Sequence, residues 1–415
     1  MAAPVPPAAR RMAAVMPPVI PQVGGLVARR PGCLSLAQGM VGWSPPDAVE
    51  QALRQLPLPA VNRYGPGLGD PELLEAVRRE LEGFRGLDLE GSDVLVTAGS
   101  NMAFHAAVTV ICDPGDEVIL PLPYYFNHVM AVQLAGGVAV PVQAGLIPDP
   151  GRLAAAITAR TRAIVTISPG NPTGLVTPPA VLAEINRLCA RHGLFHISDE
   201  AYAEFCHGAV PHRSPGSVRG SGGHTLSLFS LSKAYGMAGW RIGYAAVPRQ
   251  LIEGLAKVQD TIEICPARPS QRLAVAALAA GPAWCRPRVE GLGKSRRRLL
   301  AAVAAAQGAG LPLRLLAEPD GAFYALLEVA SELAEGELVE RLVLEHGVAV
   351  LPGGSFGLPG GPGTAVLRLS YGMVAGAELE EALRRLFEGV RRFMPRAPEL
   401  PSSPPPPPAP APRRG

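Results

Sequence analysis

Between residues 71 and 262, short apolar, β-branched runs alternate with longer amphipathic stretches, and this alternation leaves few folds open to the chain. The runs 94–97, 117–120, 163–167, 194–198, 225–229 and 242–247 have the length and composition of buried strands. The stretches 71–84, 179–192 and 249–262 carry the helical spacing of apolar residues. Parallel strands need crossovers, and helices used as crossovers cover both faces of the sheet. The pattern therefore predicts an α/β fold, with a large domain built on a mostly parallel sheet between helices. Asp70-Pro71 before a helical stretch predicts a capping aspartate with proline in the first turn.

After about residue 275 the character changes. Ala-, Leu- and Arg-rich helices are expected over 270–278, 284–307 and 379–392, with short strands over 322–328, 348–351 and 365–370. This predicts a smaller α+β domain over 276–396, joined by the N-terminal segment 19–60, beside a large domain over 61–275. Residues 1–18 are expected to be flexible, and the Pro-rich tail 397–415 to be disordered or polyproline II. With 415 residues and 48% hydrophobic content, the chain can bury the core of a large and a small domain.

A net charge of +3 with 18% charged residues and no block of like charge argues against a nucleic-acid or membrane surface. The six cysteines are scattered without a CxxC pair, which excludes a disulfide framework or zinc site as the organising feature and predicts reduced thiols in a cytoplasmic protein. No metal site is expected. The first acidic residue is Asp47, so the Ala- and Arg-containing N-terminus imitates an organellar transit peptide. A general bias to Ala, Gly, Pro and Arg accounts for the same feature.

The densest chemistry lies in Ser230-Leu-Ser-Lys-Ala-Tyr-Gly-Met-Ala-Gly-Trp-Arg-Ile-Gly243. Lys233 follows a buried-type strand, and a lysine in a confined apolar site can lose its proton and attack an aldehyde. Ser230, Ser232 and Arg241 supply the hydroxyls and guanidinium that a phosphate needs. Thr97-Ala-Gly-Ser100-Asn101 is a strand, a glycine turn and a helix start, which is a ready anion site. Asp199 and Tyr202 lie in Ser-Asp-Glu-Ala-Tyr after another strand, where an aspartate alone is often only a helix cap. Asn171 lies in the loop Ser168-Pro-Gly-Asn-Pro-Thr-Gly174. Arg368 sits in an alternating apolar run, inward-facing or at an edge.

These segments, in this order over roughly residues 20–395, resemble the class I/II aminotransferases of PLP fold type I. The resemblance implies pyridoxal 5'-phosphate as cofactor, carried on Lys233 as a Schiff base, with Lys233 also shuttling the substrate Cα proton. It implies that Asp199 pairs with the pyridine nitrogen and keeps it protonated. Tyr202 and Asn171 would hydrogen-bond the ring's phenolic oxygen, and Tyr125 would stack on the ring. Ser100, Asn101, Ser230, Ser232 and Arg241 would hold the phosphate. Arg368 would clamp the substrate carboxylate, with Gly39 and Asn171 nearby. Tyr64 would reach the phosphate of a neighbouring subunit, which implies a homodimer with shared active sites.

The implied activity is transfer of an amino group from an L-amino acid to a 2-oxo acid by a ping-pong mechanism. One bacterial aspartate-specific subgroup carries lysine where this chain has Asn101, so a neutral, aromatic or sulfur-containing amino acid is the expected donor, with aspartate open. A carbon–sulfur β-lyase or a cyclopropane-forming synthase would share most of these motifs. A non-catalytic PLP-binding regulator is a more distant alternative, and the region before the fold carries no helix-turn-helix pattern.

Overall fold

The structure, a computed structural model, describes residues 8–395. The Pro-rich tail expected over 397–415 lies outside the described residues, as do residues 1–7 of the N-terminal segment. Residues 8–18, expected to be loose, include a short helix, Arg11–Ala14. The Met16 backbone N–H donates to Gln133 Oε1 at 3.0 Å.

A two-residue strand comes first, β1 (Leu34–Ser35). Seven strands follow: β2 (Ser92–Thr97), β3 (Glu117–Pro121), β4 (Val138–Val142), β5 (Thr161–Ile167), β6 (Phe195–Asp199), β7 (Thr225–Ser230) and β8 (Gly243–Pro248). They form one sheet in the order β2-β8-β7-β6-β5-β3-β4. Pairing is parallel from β4 to β7, while β8 runs antiparallel to both of its neighbours, β7 and β2. β2 therefore points the same way as the parallel strands. Their C-terminal ends, together with the start of β8, share one edge of the sheet.

Why the strands read as unbroken apolar runs follows from this architecture. Successive side chains leave opposite faces of a strand, and here both faces are covered. Leu95 packs with helix Ser100–Ile111, whereas Val94 and Val96 pack on the other side with helix Pro71–Gly83. Val118 and Leu120 belong to the first group, while Ile119 lies in a separate core cluster that includes Ile185 and Leu188 of helix Pro179–His192. Each such fully buried aliphatic side chain contributes roughly 1.5–3 kcal/mol.

Later strands build a second, antiparallel sheet. β9 (Leu313–Leu315), β10 (Tyr324–Ala330), β12 (Leu351–Pro352) and β13 (Thr364–Ser370) lie in the order β12-β13-β10-β9. β11 (Val348–Ala349) leaves that sheet and pairs in parallel with β1. The run expected as one strand over 348–351 is thus divided between two partners. β1 ties the N-terminal segment to residues 348–349, in the part of the chain that follows the large sheet. Two features went unread in sequence. β4 contains Pro141, and an edge position is where a strand tolerates a residue without an N–H. Asp70 precedes helix Pro71–Gly83 as expected but makes no capping hydrogen bond; its carboxylate instead accepts from Arg268 Nε at 3.1 and 3.2 Å. The long-range ion pair takes the oxygens that a local cap needs.

Candidate active site

At the shared strand edge lies a cavity of about 200 Å³. Its walls come from Ser100, Asn101, Tyr125, Ile167, Asn171, Asp199, Ala201, Tyr202, Ser230, Ser232, Lys233 and Arg241. The carboxyl ends of parallel strands are where open α/β sheets place ligands, because the loops there diverge and leave a crevice.

One end of the cavity is an anion cradle. Helix Ser100–Ile111 begins there, with Gly99 before it at φ 86°. Its first N–H groups are free of helical partners and point outward. A Cβ on Gly99 would stand 2.6 Å from Arg241 Nη2, so only glycine lets the guanidinium approach. Arg241 holds a left-handed backbone at φ 48° just before β8, and its Nη1 lies 3.4 Å from Ser232 Oγ. Hydroxyls, a guanidinium and a helix start make a phosphate-binding donor set.

Asp199, 5% exposed, stands at the end of β6. Its Oδ1 accepts the Ala201 N–H at 3.1 Å, and its Oδ2 lies 3.1 Å from His128 Nε2. His128 stacks on Phe104 with centroids 3.9 Å apart, and its ring edge meets Tyr125 at 5.3 Å. This packing fixes the imidazole, and the imidazole fixes the carboxylate. Sequence reasoning missed His128. Its signal was the spacing from Tyr125, one helical turn along the helix that starts at Phe126.

Lys233 follows β7, and its amine donates to the Gly39 carbonyl. Burial, aided by the Arg241 and Arg368 cations, brings this amine down to about 8, with Asp199 opposing. A lysine poised this way is a nucleophile near neutral pH.

Arg368 is 2% exposed, on β13 opposite Leu326 of β10. Nη1 donates to Asn171 Oδ1 at 3.2 Å and Nη2 to the Ala37 carbonyl, while Nε has no partner. The guanidinium carbon lies 4.6 Å from the Tyr324 ring centroid and 5.3 Å from that of Phe356. Among the described residues no carboxylate pairs with it. Tyr324, also missed in sequence, places its hydroxyl 2.7 Å from that of Tyr202. Nothing in Gly321-Ala-Phe-Tyr324 separates it from an ordinary core aromatic.

The structure thus gathers Ser100, Asn101, Tyr125, Asn171, Asp199, Tyr202, Ser230, Ser232, Lys233 and Arg241 around one cavity, with Gly39 and Arg368 linked to it through Lys233 and Asn171. Tyr64 is not brought there: its side chain is 78% exposed on the surface of this chain. An anion cradle, a buried carboxylate and a lysine whose amine is lowered to about 8, around one cavity, fit a phosphorylated pyridine aldehyde.

The sequence profile of the family described as "Aminotransferase class I and II" matches residues 32–386. The aromatic aminotransferase ISS1 of Arabidopsis thaliana is 35% identical over 393 residues, which cover 91% of this chain and 94% of that protein. The aspartate/prephenate aminotransferase of Thermus thermophilus is 36% identical over 401 residues, covering 94% and 99%. A solved structure of a single mutant of Thermus thermophilus aspartate aminotransferase superposes with a TM-score of 0.83 at 34% identity, covering 93% of this chain and all of that one.

Proposed function

The chain belongs to the class I and II aminotransferases, whose members use pyridoxal phosphate, and from that premise we propose that it moves the amino group of a neutral, aromatic or sulfur-containing L-amino acid to a 2-oxo acid. The observation that carries this reading is the buried Arg368 guanidinium. A fully desolvated cation without a counter-charge is costly, and a substrate carboxylate supplies the missing partner.

The residues divide the work. Ser100, Asn101, Ser230, Ser232 and Arg241 would hold the phosphate, and Tyr125 would pack against the ring. Asp199, steadied by His128, would pair with the ring nitrogen and keep it protonated. Tyr202 and Asn171 would donate to the phenolic oxygen. Pyridoxal phosphate, when bound, supplies the electron sink for charge that forms at the substrate Cα. Arg368 and Asn171 bind the α-carboxylate beside the Gly39 segment and so orient the Cα–H. Lys233 Nζ would take that proton and return it on the far side of the C–N bond. The donor would leave as its 2-oxo acid, its amino group held by the cofactor until a second 2-oxo acid takes it up by the reverse steps.

The side-chain class follows from charge. The cations lining the cavity are Lys233 and Arg241, both engaged in the steps above, and Arg368 serves the α-carboxylate. Among the described residues that line it, none is left for a second carboxylate. A dicarboxylic donor such as aspartate then depends on a cation from a second subunit. A homodimer is part of this reading. Leu58, Tyr64, Ile262 and Ile264 are 61%, 78%, 52% and 43% exposed. The segments that carry the last three adjoin, since the Gly65 N–H donates to Cys265 Sγ at 3.3 Å. Clustered exposed apolar residues of this kind mark interaction surfaces.

The test is glutamate formation from 2-oxoglutarate with single L-amino acids as donors. Stoichiometric consumption of the oxo acid supports transfer. Release of ammonia and pyruvate without oxo-acid consumption assigns the chain to lyase chemistry instead.

A further inference from the structure

Tyr202 Oη and Tyr324 Oη lie 2.7 Å apart, both inside the protein, with their rings edge to face at a centroid distance of 5.4 Å. Each hydroxyl carries one proton, so one must donate and the other accept. The pair alone leaves the direction open. The surroundings do not.

Tyr202 lines the cavity, while Tyr324 sits behind it at the start of β10 and is 1% exposed. Tyr324's ring underlies the Arg368 guanidinium at 4.6 Å. A cation over the ring draws electron density from the phenol and favours its role as donor. Burial pushes the Tyr324 hydroxyl up to about 12, so its proton stays in place at working pH. A Cβ on Gly39 would fall on the Tyr324 hydroxyl, so the backbone that receives Lys233 also walls this hydroxyl in.

We propose that Tyr324 is a positioning residue that donates its proton to Tyr202 Oη and thereby commits the Tyr202 proton to the cofactor pocket. The proposal rests on the reading that Tyr202 donates to the cofactor's phenolic oxygen. With Tyr324 donating, the only proton on Tyr202 is free to point into the cavity. Accepting one hydrogen bond also strengthens the one given, because linked hydroxyls polarise each other. With Tyr324 accepting instead, Tyr202 would spend its proton inside the wall and the phenolic oxygen would lose a donor. Tyr324 itself touches none of the reacting atoms in this arrangement.

The experiment is a pH titration of the absorbance band of the lysine-bound cofactor in four proteins: wild type, Tyr324→Phe, Tyr202→Phe and the double variant. A weaker donor at the phenolic oxygen leaves that oxygen more basic, so the protonation midpoint rises. Tyr324→Phe is expected to raise it by about 0.5–1 unit, the size of one hydrogen bond. In the Tyr202→Phe background the same change is expected to do nothing, because the relay is already cut. Gly39→Ala, which displaces the Tyr324 hydroxyl without deleting it, is expected to shift the midpoint in the same direction. Thermal unfolding of each variant reports packing separately. No shift in Tyr324→Phe, or an equal shift with and without the Tyr202 hydroxyl, overturns the relay. A wild-type protein that forms no lysine-bound band overturns the cofactor reading beneath it, and the relay with it.

Discussion

Arg368 and Asn171 meet inside the protein, with Nη1 donating to Oδ1 at 3.2 Å, and the guanidinium Nε beside this bond has no partner. The pair is therefore a half-filled carboxylate clamp. Its neutral member orients the fork and leaves the charge unspent, at the cost of a cation desolvated in the resting protein.

That cost gives the first prediction. Arg368→Met keeps much of the volume and removes the buried charge. Thermal unfolding without substrate is expected to be unchanged or to move to higher temperature. kcat/KM for amino-acid donors is expected to fall by roughly 10²–10³, the loss typical of removing one partner of a buried charge pair. A variant that loses stability while keeping activity would show that Arg368 serves the core.

The second concerns pH. Burial first, then the Arg241 and Arg368 cations, lower the Lys233 amine to about 8. Only the neutral amine attacks an aldehyde, and it accumulates as pH rises through that value. About a tenth of the apoprotein is reactive at pH 7 and about nine-tenths at pH 9. The rate of band formation on adding pyridoxal phosphate should climb with a midpoint near 8. A midpoint near that of an ordinary lysine, above 10, contradicts the depressed amine.

How much of this was legible in sequence depended on where the signal sits. Helix Pro179–His192 has the bounds its spacing predicts, and the six apolar runs each match a strand of the large sheet, those at 194 and 242 starting one residue early, because both-face burial leaves a plain mark. β4 was not legible, since its burial is incomplete and Pro141 interrupts it. The antiparallel sense of β8 has no signature in composition. Lys233, Asp199, Asn171 and Arg241 announce themselves as polar residues in strand-end strings. His128 and Tyr324 do not, for each acts through a neighbour contributed by a distant segment: His128 through Asp199, Tyr324 through Tyr202.

His128 supplies the third prediction. His128→Phe keeps an aromatic ring against Phe104 and deletes the hydrogen bond to Asp199. kcat is expected to fall about 10- to 100-fold, the range for losing a hydrogen bond to a charged group. Single-turnover rates with one amino acid measure this without the second half-reaction. An unchanged rate would mean that Asp199 is held well enough by the Ala201 N–H alone.

The fourth concerns assembly. Light scattering is expected to give twice the chain mass of 43.3 kDa. Tyr64→Phe in that dimer is expected to weaken cofactor retention, since the proposed assembly assigns the tyrosine hydroxyl to the partner's phosphate site. A folded, active monomer removes the role given to Tyr64.

The most direct test is the absorbance spectrum of the purified protein loaded with pyridoxal phosphate, recorded before and after single L-amino acids. The expected result is a lysine-bound band that converts to the aminated cofactor, most completely with aromatic, neutral or sulfur-containing donors, and that in Arg368→Met converts roughly 10²–10³-fold more slowly at the same subsaturating donor concentration. A band that persists with every amino acid, or that yields pyruvate and ammonia with no aminated cofactor, contradicts it.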